Sequence, residues 1–173
     1  MELKIFRTNK QDLVVKERSK PGVSYFVRAP SNLFSTPPLK VYRGPSEWSP
    51  QVATLVKQRR WPLRFAVTLE QSLETIVIRQ RRLWDSQKLF MFAGKIYAWH
   101  DDTDLIDLQN DHIIANIRMA GSFDYGLVLT IYREGEEMMD IIVFTAIAVS
   151  LHRPIVRVVG SQIAGAGVGF ALI

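Results

Sequence analysis

The stretch EEMMDIIVFTAIAVSLHR, residues 136–153, limits what this chain can fold into more than any other. Between Ile141 and Leu151 only Thr145 and Ser150 are polar. The segment holds no Gly or Pro to turn a hairpin, and single strands usually run about 3–10 residues. Glu136, Glu137 and Asp140 at its start, with His152 and Arg153 at its end, complement a helix dipole. Pro154 then supplies a stop. The β-branched Ile141, Ile142, Val143 and Thr145 pull toward strand, but end charges and length outweigh propensity. The segment reads as one helix of ~27 Å. Because it is apolar on every side, it has to be enclosed on every side.

A lipid bilayer is one enclosure, but a span needs roughly 20 mostly apolar residues. The uninterrupted run here is 141–149, and Arg153, Pro154 and Arg157 interrupt the chain beyond it. A closed sheet is the better enclosure, and the chain upstream supplies its wall. Short extended segments at 3–7, Leu13–Glu17, Tyr25–Arg28 and Leu39–Tyr42 are separated by Pro- and Gly-containing turns. Residues 63–69 place Leu63, Phe65, Val67 and Leu69 on one face, with Arg64, Ala66 and Thr68 on the other. Residues 74–80 are rich in β-branched side chains, with Arg79 opposite in direction to Ile78. Residues 89–92 and 96–99 flank Ala93-Gly94-Lys95 as a hairpin. A second pair, 104–108 and His112–Met119, flanks Gln109-Asn110-Asp111, and 126–132 alternates once more. Many short strands at 8–12-residue spacing predict an all-β sandwich or barrel.

The 173 residues suit one domain, large enough to bury a core without staples. The chain has no cysteine, which excludes a disulfide framework and thiolate metal sites. That composition, with no apolar run behind Met1-Glu-Leu-Lys, predicts a reducing, cytoplasmic setting without a secretory leader. Charge is unevenly spread. Residues 1–82 hold 16 Lys and Arg against 6 Asp and Glu, whereas 83–173 hold 6 against 11. Either the first half presents a basic face to an anionic partner, or the two halves neutralise each other within one barrel.

A strand-rich chain closing on one buried helix resembles the tubby C-terminal-like superfamily, which includes the plant LURP-one-related proteins and the phospholipid scramblases. Two stretches carry the resemblance, most of all to fungal members: KLFMFAGKIYAWHDDTDLIDL, similar to a Gly-turn hairpin of aromatic strands, and GLVLTIYREGEEMMDIIVFTAIAVSLHR, similar to a last strand, acidic turn and central helix. The resemblance spans roughly residues 40–153. It implies a mainly β fold: a closed antiparallel β-barrel of about twelve strands around a central hydrophobic α-helix. It also implies binding of an anionic membrane lipid or phosphoinositide in some members, with no shared enzymatic activity. The expected organisation is one barrel domain over 1–153, its helix near 136–153, and an apolar extension over 154–173. In the family the helix lies at or near the end of the chain, so that extension departs from the pattern. The basic positions of tubby proteins do not map onto this chain residue by residue.

The densest basic runs supply the candidate ligand-binding residues: Lys57, Arg59 and Arg60, then Arg79, Arg81 and Arg82. Guanidinium forks suit phosphate, and the neighbouring Trp61 and Trp84 suit a membrane interface. The plainer alternative is a pair of solvated strand ends. No nucleic-acid-binding signature accompanies the charge. His100-Asp101-Asp102-Thr103-Asp104 lacks the Gly and terminal Glu of a calcium loop and reads as a polar turn. His100, His112 and His152 are scattered. Glu134, Glu136 and Glu137 read as first-turn acids rather than a catalytic pair. The glycines at 165, 167 and 169 open no βαβ unit. No catalytic residue, metal site or cofactor is expected. The functional expectation is a non-enzymatic binding module for an anionic lipid, peripheral at a membrane. The alternatives are a protein-interaction scaffold of the same fold and a small-ligand barrel.

Overall fold

In the computed structural model the described residues are 1–8, 12–28, 38–59, 63–80, 82, 85–120 and 126–151. They form twelve strands: β1 (Glu2–Arg7), β2 (Leu13–Glu17), β3 (Tyr25–Arg28), β4 (Leu39–Tyr42), β5 (Gln51–Arg59), β6 (Arg64–Leu69), β7 (Thr75–Gln80), β8 (Gln87–Phe92), β9 (Lys95–His100), β10 (Asp104–Asp107), β11 (His112–Met119) and β12 (Leu127–Ile131). Each strand pairs antiparallel with its neighbours in sequence, and β1 pairs β12, with Glu2 opposite Thr130 and Ile5 opposite Leu127. The sheet is therefore a closed up-and-down barrel, which leaves no exposed edge.

A 3-10 turn at Arg133–Met138 follows β12 and leads into the helix α1, Met139–Ser150. All ten residues from Ile141 to Ser150 are buried, so the helix lies inside the wall. Its 12 residues span about 18 Å. An eight-stranded barrel is filled by its own side chains, whereas sixteen strands leave a channel. Twelve strands fall between, and the helix, about 10–12 Å across, occupies that space. Inward-facing Leu3, Val27, Leu55, Val67, Ile78, Trp99, Leu105 and Leu129 meet Phe144, Ile147 and Val149 in one cluster.

Two features differ from the sequence expectation. The helix is shorter than 136–153, because Glu136 and Glu137 wind as 3-10 turn, and α1 begins at Met139. There the chain has to turn from the wall onto the axis in a few residues. Gly135 permits this: a Cβ on it would lie 2.8 Å from the Ile114 carbonyl oxygen and 2.8 Å from Ile142 Cδ1. The second difference is β5, which the alternation of the sequence does not isolate. Its outward Val56 is half-buried, and Val52, at a register shift against β4, packs against the core, so period two is blurred. His152, Arg153 and the extension at 154–173 lie outside the described residues, as do Trp61 and Trp84.

Two polar contacts fix the helix on the barrel axis. Midway along α1 the Trp99 indole N–H donates to Thr145 Oγ1 at 3.1 Å, and the Thr145 hydroxyl donates to the Ile142 carbonyl at 3.2 Å. Both side chains are fully buried, so each polar atom depends on the other. Thr145→Val keeps the shape but strands the indole N–H. It is expected to cost ~1–3 kcal/mol in urea unfolding, and the same change made on a Trp99→Phe background, which has no indole N–H to strand, should cost less.

At the end where the helix enters, Asp140 accepts from the Tyr25 hydroxyl and pairs with Arg43, whose guanidinium lies over the Tyr25 ring. Burial, then the neighbouring Asp140, push the Tyr25 phenol well above its ordinary 10.0. Burial, followed by Asp107, raises Tyr97 as well. A raised acid of this kind favours the folded state only while it is neutral in both states. Its contribution is intact below pH 10 and lost as pH rises above it. Melting temperature should fall above about pH 10, and Tyr25→Phe should flatten part of that fall, leaving the share due to Tyr97.

Candidate anion-binding surface

Strand direction sets the two ends of the barrel. β12 runs toward the end where α1 enters, so the odd-numbered strands run toward the end where it exits. β5 and β7 both finish at the exit end, and β6 starts there. The two basic runs of the sequence, 22 residues apart from Lys57 to Arg79, thus reach one rim.

Register aligns them closely. Arg59 pairs with Arg64, and Arg64 pairs with Arg79, giving three arginine positions in a row across β5, β6 and β7. The pairing of β5 with β6 shifts between Lys57 and Arg59. This irregularity sets Arg59 opposite Arg64 while Lys57 stays opposite Phe65. Arg64 and Arg79 are exposed on the outer face, since their neighbours Phe65 and Ile78 are buried against the helix. Directly opposed side chains have Cβ atoms about 4.5–5.5 Å apart, and like charges there are unfavourable. No carboxylate of the described residues pairs with Arg64 or Arg79. Such a pair of forks can close on one phosphate through charge-assisted hydrogen bonds.

The six residues expected from sequence separate accordingly. Arg79 joins the row, and Arg59 joins it by backbone register. Arg82 is exposed in the connection leaving β7 at the same rim. Lys57 does not join: its ammonium lies 6.0 Å from the Phe65 ring centroid, on the inward side. Arg60 and Arg81 lie outside the described residues. Arg64 is the member that charge runs alone miss, because it stands singly between Leu63 and Phe65. Its position on the polar side of an alternating strand was the signal that could have found it.

The other candidates have structural roles. Asp101 and Asp102 have φ of 50° and 59°, and the Thr103 N–H donates to the His100 carbonyl at 2.9 Å. That is the left-handed backbone suited to a tight antiparallel hairpin. Asp102 also pairs with Lys88, which is only 5% exposed, so this carboxylate neutralises a buried ammonium. Glu134, Glu136 and Glu137 are exposed on the 3-10 turn at the opposite end from the arginine row. No group of three or more His, Asp or Glu converges among the described residues. The helix occupies the barrel axis, which removes the hollow lumen that a small-ligand barrel needs. A cleft of about 420 Å³ lies outside the wall, lined in part by Phe26, Arg28, Glu47 and Trp48. No helix of the described residues is long and apolar enough to cross a membrane.

Fold and site together define a helix-threaded, twelve-stranded up-and-down barrel with an arginine row at its helix-exit rim. Comparison with protein-family models, curated proteins and solved structures gives no match to this chain.

Proposed function

We propose that this chain is a non-enzymatic binding module of tubby-like fold that recognises an anionic membrane lipid, phosphoinositides included, at its helix-exit rim. The observation that carries this reading is the Arg64–Arg79 register. Two exposed like charges face each other across a strand pair with no described carboxylate between them, an arrangement that favours a shared anionic ligand over bare solvent. The central helix supports the tubby-like assignment. The filled axis favours recognition on the surface over a ligand held inside. Each basic side chain near an anionic membrane contributes ~1 kcal/mol, so the exposed Arg64, Arg79 and Arg82 together supply weak, reversible attachment.

Vesicle flotation at low salt tests the reading. Binding to vesicles containing phosphatidylserine or phosphoinositide, but not to neutral phosphatidylcholine, is the expected result, with release as salt rises. Equal failure to bind all three would exclude it.

A further inference from the structure

The outer wall carries a second surface at the opposite end. Met91 pairs with Ile96 across β8 and β9, and the Leu108 N–H donates to the Ile96 carbonyl at 3.1 Å. Beside this row, Ile106 pairs with Ile113 across β10 and β11. These residues face away from the helix, because Phe90, Tyr97 and Leu105 are the buried ones. The exposures are 65% for Met91, 48% for Ile96, 42% for Leu108 and 47% for Ile113. Single exposed apolar residues are ordinary, but a contiguous block marks a contact surface.

The chemistry of the rim beside the block indicates what covers it. Gly135 sits against the Ile114 carbonyl, next in sequence to Ile113, and the exposed Glu134 and Glu136 flank that glycine. Asp111 is exposed in the turn before β11, and Glu137 is exposed further along the 3-10 turn. Against these four carboxylates stands Arg133, while Lys95 is drawn to Asp107 at 3.8 Å. His112 is exposed between Asp111 and Ile113.

We infer that the outer face of β8–β11 docks a basic, amphipathic segment of another protein, its apolar side on Met91, Ile96, Leu108 and Ile113 and its cations toward Glu134, Glu136 and Asp111. Both poles of such a segment find their complement here, the same pairing of apolar anchors and flanking charge that holds amphipathic helices elsewhere. The surface is independent of the arginine row, so a molecule bound by its exit rim still presents it.

The test is fluorescence anisotropy of a labelled 18-residue Leu/Lys amphipathic peptide, about 27 Å as a helix, titrated with the full chain without lipid. A Leu/Glu peptide of the same pattern is the control. The Leu/Lys peptide is expected to bind and the Leu/Glu peptide not. Met91→Gln with Ile96→Gln should weaken binding about tenfold or more, and Glu134→Gln with Glu136→Gln should weaken it and reduce its salt dependence. Both pairs are exposed, and an unchanged melting temperature confirms that the fold is intact. Arg79→Glu should leave peptide binding no weaker. The inference is overturned by failure of the Leu/Lys peptide to bind, by binding indifferent to Met91→Gln with Ile96→Gln, or by a dimer of the chain that this pair dissolves. The last result would assign the surface to a second copy.

Discussion

Val143→Asp and Ala146→Asp should each remove a large share of the fold's stability, enough to unfold a domain of ordinary stability. Both positions are 0% exposed on a helix buried on every side, so no rotamer carries a carboxylate to water. The polar atoms that the helix does bury near them, on Thr145, are already engaged with Trp99 and the Ile142 carbonyl. A buried charge without a partner costs ~3–5 kcal/mol, against a total stability of about 5–15 kcal/mol for a domain. Neutralising the carboxyl by protonation lowers that cost only by substituting an unpaired hydroxyl. Insoluble expression, or loss of cooperative melting by circular dichroism, is the expected readout. Met91→Asp, on the outer wall, is the control and should melt close to wild type. Near-wild-type melting of both helix variants would mean that the helix is not enclosed.

Arg79→Glu should move binding and stability in opposite directions. It removes one cation from the exit rim and adds an anion, a change worth ~2 kcal/mol of membrane attraction at ~1 kcal/mol per charge. That corresponds to roughly 30-fold weaker vesicle binding. The same change converts a like-charge opposition with Arg64 into a cross-strand ion pair, worth a few tenths to ~1 kcal/mol in favour of the fold. Flotation and urea unfolding of one variant therefore separate a binding role from a structural one. Vesicle binding unchanged at low salt would remove the arginine row from the site. Lower stability would show that Arg79 holds the wall together.

Much of the wall was visible in the chain because a barrel strand has one dry and one wet face. Tyr25–Arg28, Leu39–Tyr42 and His112–Met119 coincide with the short strand segments read between turn residues. β5 escaped because its outer residues are half-covered, which removes the contrast on which period two depends. The helix was legible as a solid apolar run bounded by charge, but its first turn was not. Glu136 and Glu137 carry the signature of a helix start, and the tight approach of Gly135 to Ile114 winds them as 3-10 instead.

The candidate site divides along the same line. Composition places the basic residues in the first half of the chain, and guanidinium chemistry makes phosphate their natural ligand. Neither says that Arg64, single in its strand, belongs with Arg79, nor that Lys57 turns inward onto Phe65. Those facts depend on strand register, and a slip of one residue would send every side chain to the other face. Hydrophobicity along a chain is a one-dimensional quantity, so the need for an enclosed helix and a strand-built sheath can be read from residue order. Which side chains meet across strands depends on closure of the sheet and on register shifts such as that at Lys57–Arg59, and both arise only when distant segments pack together.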